Sequence, residues 1–224
     1  MSKKHVKKQQ VNEFDEKLAA SVSFFEKHKN TILYGGGAVL LIIIAILVIH
    51  QFYIVPRNNK ANESIFYAEQ AFMDGNYDKA LNGDGANMGF LSVIDEFGST
   101  KAGNIACLYA AKCYAATEKY QEAIDMLEKF DGCGDAMISP AAIALKGNCY
   151  AELGENEKAA DLLLKAAKEA DNNTISPICL LQAGQIYVSL GQKDKALNCY
   201  NQIKSKYQQS NLYYEIDKYI EQAQ

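Results

Sequence analysis

The sequence predicts an all-α protein: one transmembrane helix near the N-terminus, then a solenoid of about four helical hairpins closed by a C-terminal capping helix. Three observations predict it. An uncharged, strongly apolar run occupies residues 31–55. A short Gly-x-x-x-x-Ala string occurs three times behind it, with a near relative that begins at Glu118. The segments between these strings carry helical spacing of apolar and small residues rather than the alternation of strands. The domains expected are a basic tail over 1–30, the membrane segment over 31–55 and the repeats over 56–224.

The tail comes first. Residues 1–30 hold seven lysines against four acids, a net of +3, whereas the whole chain of 224 residues has a net charge of -4. The remainder is therefore acidic, which argues against a general nucleic-acid binder. Residues 12–29 are expected to form a short amphipathic helix with Phe14, Leu18, Val22 and Phe25 along one stripe, or else a partly ordered tail.

The membrane segment follows. From Thr31 to Ile49 no residue is charged, and Val39–Ile49 contains only Leu, Ile, Val and Ala45. Roughly twenty residues of helix cross the hydrocarbon core. At about -0.3 to -0.6 kcal/mol for each Leu, Ile or Val, these residues favour insertion by roughly 3 to 6 kcal/mol. The run is too long, too far from the N-terminus and too poorly followed by small residues for a cleaved signal. It reads as a retained signal anchor. Pro56 is expected to end its helix. The lysines on its N-terminal side place residues 1–30 in the cytoplasm and residues 56–224 outside it, in a periplasm where one exists.

The repeats are phased on one alanine. The strings are Gly75-Asn-Tyr77-Asp-Lys-Ala80, Glu118-Lys-Tyr120-Gln-Glu-Ala123, Gly154-Glu-Asn156-Glu-Lys-Ala159 and Gly191-Gln-Lys193-Asp-Lys-Ala196. Each string joins a first helix, A, to a second, B. The Gly supplies the left-handed residue that ends helix A. The Ala lets helix B come close. Twelve residues before each Ala stands a small residue of helix A: Ala68, Ala111, Gly147 and Gly184. Three residues later come Ala71, Tyr114, Tyr150 and Tyr187, the last three able to fill the gap between units. Pro140 and Pro177 open the third and fourth A helices, where a missing N–H costs nothing. Asn82–Asn87 is expected to be a turn that breaks the first unit, and residues 211–223 form the capping helix.

These strings resemble the tetratricopeptide repeat. The resemblance covers residues 61–224 and implies a right-handed solenoid with a concave face built from the A helices. Unit two departs by Glu118 in place of Gly, and units three and four lack the ring after it. The layout as a whole, with Phe24-Phe25 just before one membrane helix and repeats behind it, resembles the ancillary Sec-translocon subunit family, and the Ala80-Leu-Asn-Gly-Asp-Gly string and the region from Ile178 to Tyr200 resemble its Bacteroidetes-type version. That resemblance implies a membrane-anchored accessory factor binding protein partners near the export machinery. A structural scaffold for a cell-division or outer-membrane assembly complex, without client binding, is the alternative.

With units numbered from Ala61, Asn104, Pro140 and Pro177, four positions share one face of helix A. Position 2 holds Asn62, Ile105, Ala141 and Ile178. Position 5 holds Ile65, Leu108, Ala144 and Leu181, position 9 holds Glu69, Lys112, Asn148 and Gln185, and position 12 holds Phe72, Ala115, Ala151 and Val188. The candidate protein-binding groove is Ile65, Glu69, Phe72, Leu108, Lys112, Ala144, Asn148, Leu181, Gln185 and Val188, an apolar wall with a polar ladder suited to a peptide.

Catalysis is not expected. His5, His28 and His50 are the only histidines, so residues 51–224 hold no histidine-based nucleophile or metal site. No metal, cofactor, small-molecule substrate or nucleic acid is implied. Of the six cysteines, five lie among apolar residues and are expected to be free and buried, with Cys133 exposed.

Overall fold

The computed structural model describes residues 2–224, with side chains described at residues 19, 22, 23, 26–31 and 33–224. Among the described residues the secondary structure is helical, with one isolated antiparallel bridge between Gly83 and Met88. The chain divides into two compact units, Met1–Pro56 and Arg57–Gln224.

In the first unit, α1 runs over Ser2–Ile49 and a π-helical turn over His50–Ile54. The apolar run stays uncovered: Leu33, Leu41 and Phe52 expose 66%, 68% and 78% of their surface. The amphipathic stripe expected at Phe14, Leu18 and Phe25, like the Phe24-Phe25 pair, lies outside the described side chains. Pro56 does not end the helix, contrary to expectation. It is the second residue of α2, Val55–Met73. The wide turn before it explains this, because the Val55 N–H reaches back to the His50 carbonyl. That resets the hydrogen-bond ladder just ahead of a residue with no N–H to give.

The second unit is a stack of hairpins. Its helices after α2 are α3 (Tyr77–Asn82), α4 (Phe90–Phe97), α5 (Lys101–Ala116), α6 (Tyr120–Lys129), α7 (Ile138–Glu152), α8 (Asn156–Ala170), α9 (Ser176–Ser189) and α10 (Lys193–Lys206). A 3-10 turn, Asn211–Tyr214, and α11, Ile216–Ala223, follow. Helices α2, α5, α7 and α9 are the A helices. The B helix of the first unit is split into α3 and α4 by the 83–89 loop.

The phasing residues behave as the spacing requires. Ala80, Ala123, Ala159 and Ala196 are all 0% exposed, where helix B meets helix A. Gly75, Gly154 and Gly191 take φ of +73°, +80° and +70°. Glu118 adopts the same left-handed conformation at φ +61° despite its Cβ, so the turn, not the residue, sets the backbone there. Helix α7 begins two residues before Pro140, because Asp135 caps it: its carboxylate accepts the N–H groups of Met137, Ile138 and Ser139.

Three apolar clusters run along the stack. The first joins α2–α5 around Phe90, Val93 and Phe97. The second joins α5–α8 around Ile124 and Tyr150. The third joins α8–α10 to the C-terminal helix around Leu163, Tyr200, Ile203 and Ile216. Side chains this deeply buried contribute roughly 1.5–3 kcal/mol each. Helix α11 packs on α10, with Tyr219 against Tyr200 at 5.9 Å between ring centroids.

Candidate protein-binding face

The predicted groove residues fall into two sets. Ile65 and Leu108 are 7% and 5% exposed and belong to the apolar clusters. They support the wall rather than face solvent. Phe72 is half-buried between Tyr77 and Tyr109, at 5.8 and 5.3 Å. Ala144 and Leu181 are half-buried against the third cluster.

The position-9 ladder is accessible. Lys112 and Gln185 are exposed, and Glu69 and Asn148 are half-buried. Burial raises the Glu69 carboxyl above its ordinary value. Lys112 holds its ammonium 5.2 Å from the centre of the Tyr109 ring. Val188, at 42%, and Ile178, at 50%, leave apolar surface open on α9.

The two halves of the face therefore differ. Units one and two present Glu69 and Lys112 with aromatic rings beneath. Units three and four present the amides of Asn148 and Gln185 among Ala141, Ala144, Ile178 and Val188. Amides offer both donors and acceptors, so they can bond a peptide backbone of either direction. The apolar residues between them can take side chains. Tyr109 went unrecognised in the sequence because it falls one place outside the shared face. In the structure it stacks flat on Phe90, 5.3 Å away with the rings 8° from parallel, and supports Lys112. Only its adjacency to Lys112 at i+3 signalled this.

The cysteines are placed as their neighbours suggested. All six are free; Cys133 is exposed and the rest are buried. Burial pushes the Cys113 thiol up to about 12, and those of Cys149, Cys179 and Cys199 to about 11. At neutral pH these thiols stay protonated and inert. Among the described residues no group of three or more His, Cys, Asp or Glu side chains could hold a metal.

Comparison with known proteins agrees with this geometry. No curated protein matches the chain in sequence. Among solved structures, two crystal structures of MamA are similar. They are each 22% identical, with TM-scores of 0.51 and 0.54; the matches cover 70% and 73% of this chain and 91% and 85% of theirs. A kinesin light chain protein of Podosopora anserina with nearly identical TPR-like repeats is 14% identical, with a TM-score of 0.56, over 73% of this chain and 84% of its own. At these identities the likeness is one of fold. Residues 179–210 match the tetratricopeptide repeat family directly. The chain folds as a solenoid of helical hairpins similar to these structures, and its segment 179–210 resembles the tetratricopeptide repeat.

Proposed function

We propose that the chain is a membrane-anchored interaction protein whose concave face binds peptide segments of protein partners near the protein-export machinery. The apolar run is the anchor, residues 1–30 are cytoplasmic, and the repeats lie on the other side of the inner membrane, in the periplasm. The observation that supports binding most directly is the accessible ladder of Lys112, Asn148 and Gln185 on successive A helices, with Ile178 and Val188 open beside it. The anchor reading is supported by the uncovered apolar surface from Leu33 to Ile54, which a core helix of a soluble protein would bury. The link to export rests on the resemblance in layout.

The test is co-purification of the full chain from membranes in mild detergent, comparing wild type with Lys112→Ala/Asn148→Ala/Gln185→Ala. Translocon subunits or periplasmic chaperones are expected with wild type and are expected to fall away from the variant. Recovery of division or outer-membrane assembly proteins, unchanged by the substitutions, would replace this reading with the scaffold alternative.

A further inference from the structure

The two ends of the hairpin stack are finished differently. At the C-terminal end, α11 covers α10 and turns Asp217, Lys218, Glu221 and Gln222 outward. The opposite end is the outer face of α2. There, Phe66 and Tyr67 form an edge-on pair at 5.8 Å and expose 53% and 44% of their surface, and Met73 exposes 76%. Bulky apolar side chains this open on an ordered helix mark contact surface.

This face is the one that later units bury. Its positions 3, 7 and 10 are Ala106, Ala110 and Cys113 in α5, at 0% exposure, packed with the α4 residues Phe90, Val93 and Phe97. In α9 the same positions are Cys179 and Ala183, also at 0%, and Ile186, packed with α8. In α2 they are Glu63, Tyr67 and Gln70, all exposed. The register of a helix-to-helix interface is kept, but its small residues are gone. In α7 the same positions are Ala142, Lys146 and Cys149, and Lys146 is met by Glu128 of the preceding B helix at 2.9 Å, so a charge at this register calls for the opposite charge on the helix packed against it.

The charges on this face narrow the choice of occupant. Glu63 and Asp74 form no salt bridge among the described residues, while Lys60 is committed to Glu96 at 3.0 Å. Beside Tyr67, Gln70 and Asp74 opens a cavity of about 300 Å³ whose far wall is Lys79, Asp84 and Asn87. Lys79 pairs with Asp84 at 2.8 Å and also feels the charge of Asp74, so two carboxylates share one lysine and the face keeps an excess of acid.

We infer that the outer face of α2 receives a basic amphipathic helix of another protein, its apolar stripe on Phe66, Tyr67 and Met73 and its lysines or arginines toward Glu63 and Asp74. The helix occupies the place that a B helix holds in the later units. This site is separate from the concave face and stands whether or not that face binds peptides.

A probe exists within the chain itself. Residues 193–206, KDKALNCYNQIKSK, form the B helix that packs beneath α11, and they carry four lysines against one acid. A peptide of this sequence, with Cys199→Ser and crosslinked to hold it helical, is titrated by fluorescence anisotropy into the full chain in neutral detergent, with empty micelles as the blank. Wild type is expected to bind it. At least tenfold weaker binding is expected for Phe66→Ser/Tyr67→Ser, for Glu63→Lys and for a peptide with its lysines changed to glutamate; Asn148→Ala/Gln185→Ala leaves binding unchanged. The substituted side chains on α2 are exposed, and melting by circular dichroism confirms that the variants fold. No binding by wild type, equal binding of the reversed-charge peptide, or loss only in the Asn148/Gln185 variant overturns the inference. So does a halving of the mass of the full chain by Phe66→Ser/Tyr67→Ser in light scattering, which gives the face to a second copy.

Discussion

The Lys158 ammonium lies 3.7 Å from the centre of the Tyr150 ring, and one unit later Lys195 lies 5.1 Å from the ring of Tyr187. The two pairs are equivalent. Each tyrosine follows the small residue of helix A by three places, and each lysine precedes the packing alanine of helix B by one. The clasp thus closes the hairpin where Ala159 and Ala196 bring its helices together. Unit two has Glu122 at the lysine's place, and that carboxylate instead raises the hydroxyl pKa of Tyr114, after burial, the larger cause. Tyr150 and Tyr187 are each 6% exposed, so the ring supplies packing and the lysine adds electrostatic attraction to its face. Tyr150→Ala is expected to cost about 3–5 kcal/mol by denaturant unfolding, as for other buried aromatic truncations. Lys158→Met is expected to cost much less, while Tyr150→Phe with Lys158 intact keeps most of the clasp. A larger loss for Lys158→Met than for Tyr150→Ala would reverse this ranking.

Gly184 of α9 lies directly against the Tyr200 ring of α10. A Cβ added there would lie 2.2 Å from Cε1 of Tyr200, whose ring is 1% exposed and has nowhere to move. At Gly147 the same addition meets the Ala159 carbonyl oxygen and Leu163 at 3.2 Å. Gly184→Ala is therefore expected to destabilise by roughly 1–3 kcal/mol, the usual cost of overpacking a core. Gly147→Ala, also inside a helix, is offset by the gain of about 1 kcal/mol in helix propensity and is expected to be near neutral. A gain in stability at both sites in urea melts would show that propensity, not contact with Tyr200, governs them.

Much of this was legible in the sequence because the constraint is local. Ala80, Ala123, Ala159 and Ala196 had to be small for two helices to meet, and a small residue at fixed spacing shows in one sequence. The capping helix expected over 211–223 is shorter, because Asn211–Tyr214 is a 3-10 turn and α11 covers Ile216–Ala223. Pro56 was misread because its effect depends on a π-turn five residues long that no residue type announces. The two-residue advance of α7 depends on Asp135, whose capping role is visible only once the loop is folded. On the candidate face, periodicity placed Lys112, Asn148 and Gln185 on one side of their helices. It could not separate Ile65 and Leu108, which are buried, from Val188, which stays 42% exposed, because coverage depends on the neighbouring unit.

Glu118 holds the left-handed conformation that Gly75, Gly154 and Gly191 take without strain. A side chain there costs roughly 1–2 kcal/mol, part of which glycine would return as extra entropy in the unfolded chain. Glu118→Gly is expected to stabilise by about 0.5–1 kcal/mol, and Gly154→Ala to destabilise by a similar amount. Thermal melts of the two variants check both signs.

Asp135 ties its loop to α7 through the N–H groups of Met137, Ile138 and Ser139 and the Ser139 hydroxyl. These bonds hold its carboxyl below the usual range, the Ile138 N–H first among them. A group whose pKa is lowered by folding adds stability above its unfolded value, near 4, and loses it as pH falls through the folded value. Wild type is thus expected to lose stability between pH 7 and 3 faster than Asp135→Asn, which cannot titrate. Parallel melting curves for the two proteins across that range would remove the cap from the account.

Cys133 offers a reading of orientation. It stands exposed in the 131–135 loop, whereas the other five thiols are buried. In intact cells with a permeable outer membrane, a maleimide that cannot cross the inner membrane is expected to label the chain once, and Cys133→Ser is expected to abolish that labelling. After unfolding in urea the five buried thiols join it, which counts them independently. The positive flank before Thr31 favours repeats on the far side of the inner membrane, and labelling without lysis is what that orientation requires. Labelling that appears only after the inner membrane is broken would place the solenoid in the cytoplasm, and its concave face would then meet cytoplasmic partners instead of exported chains.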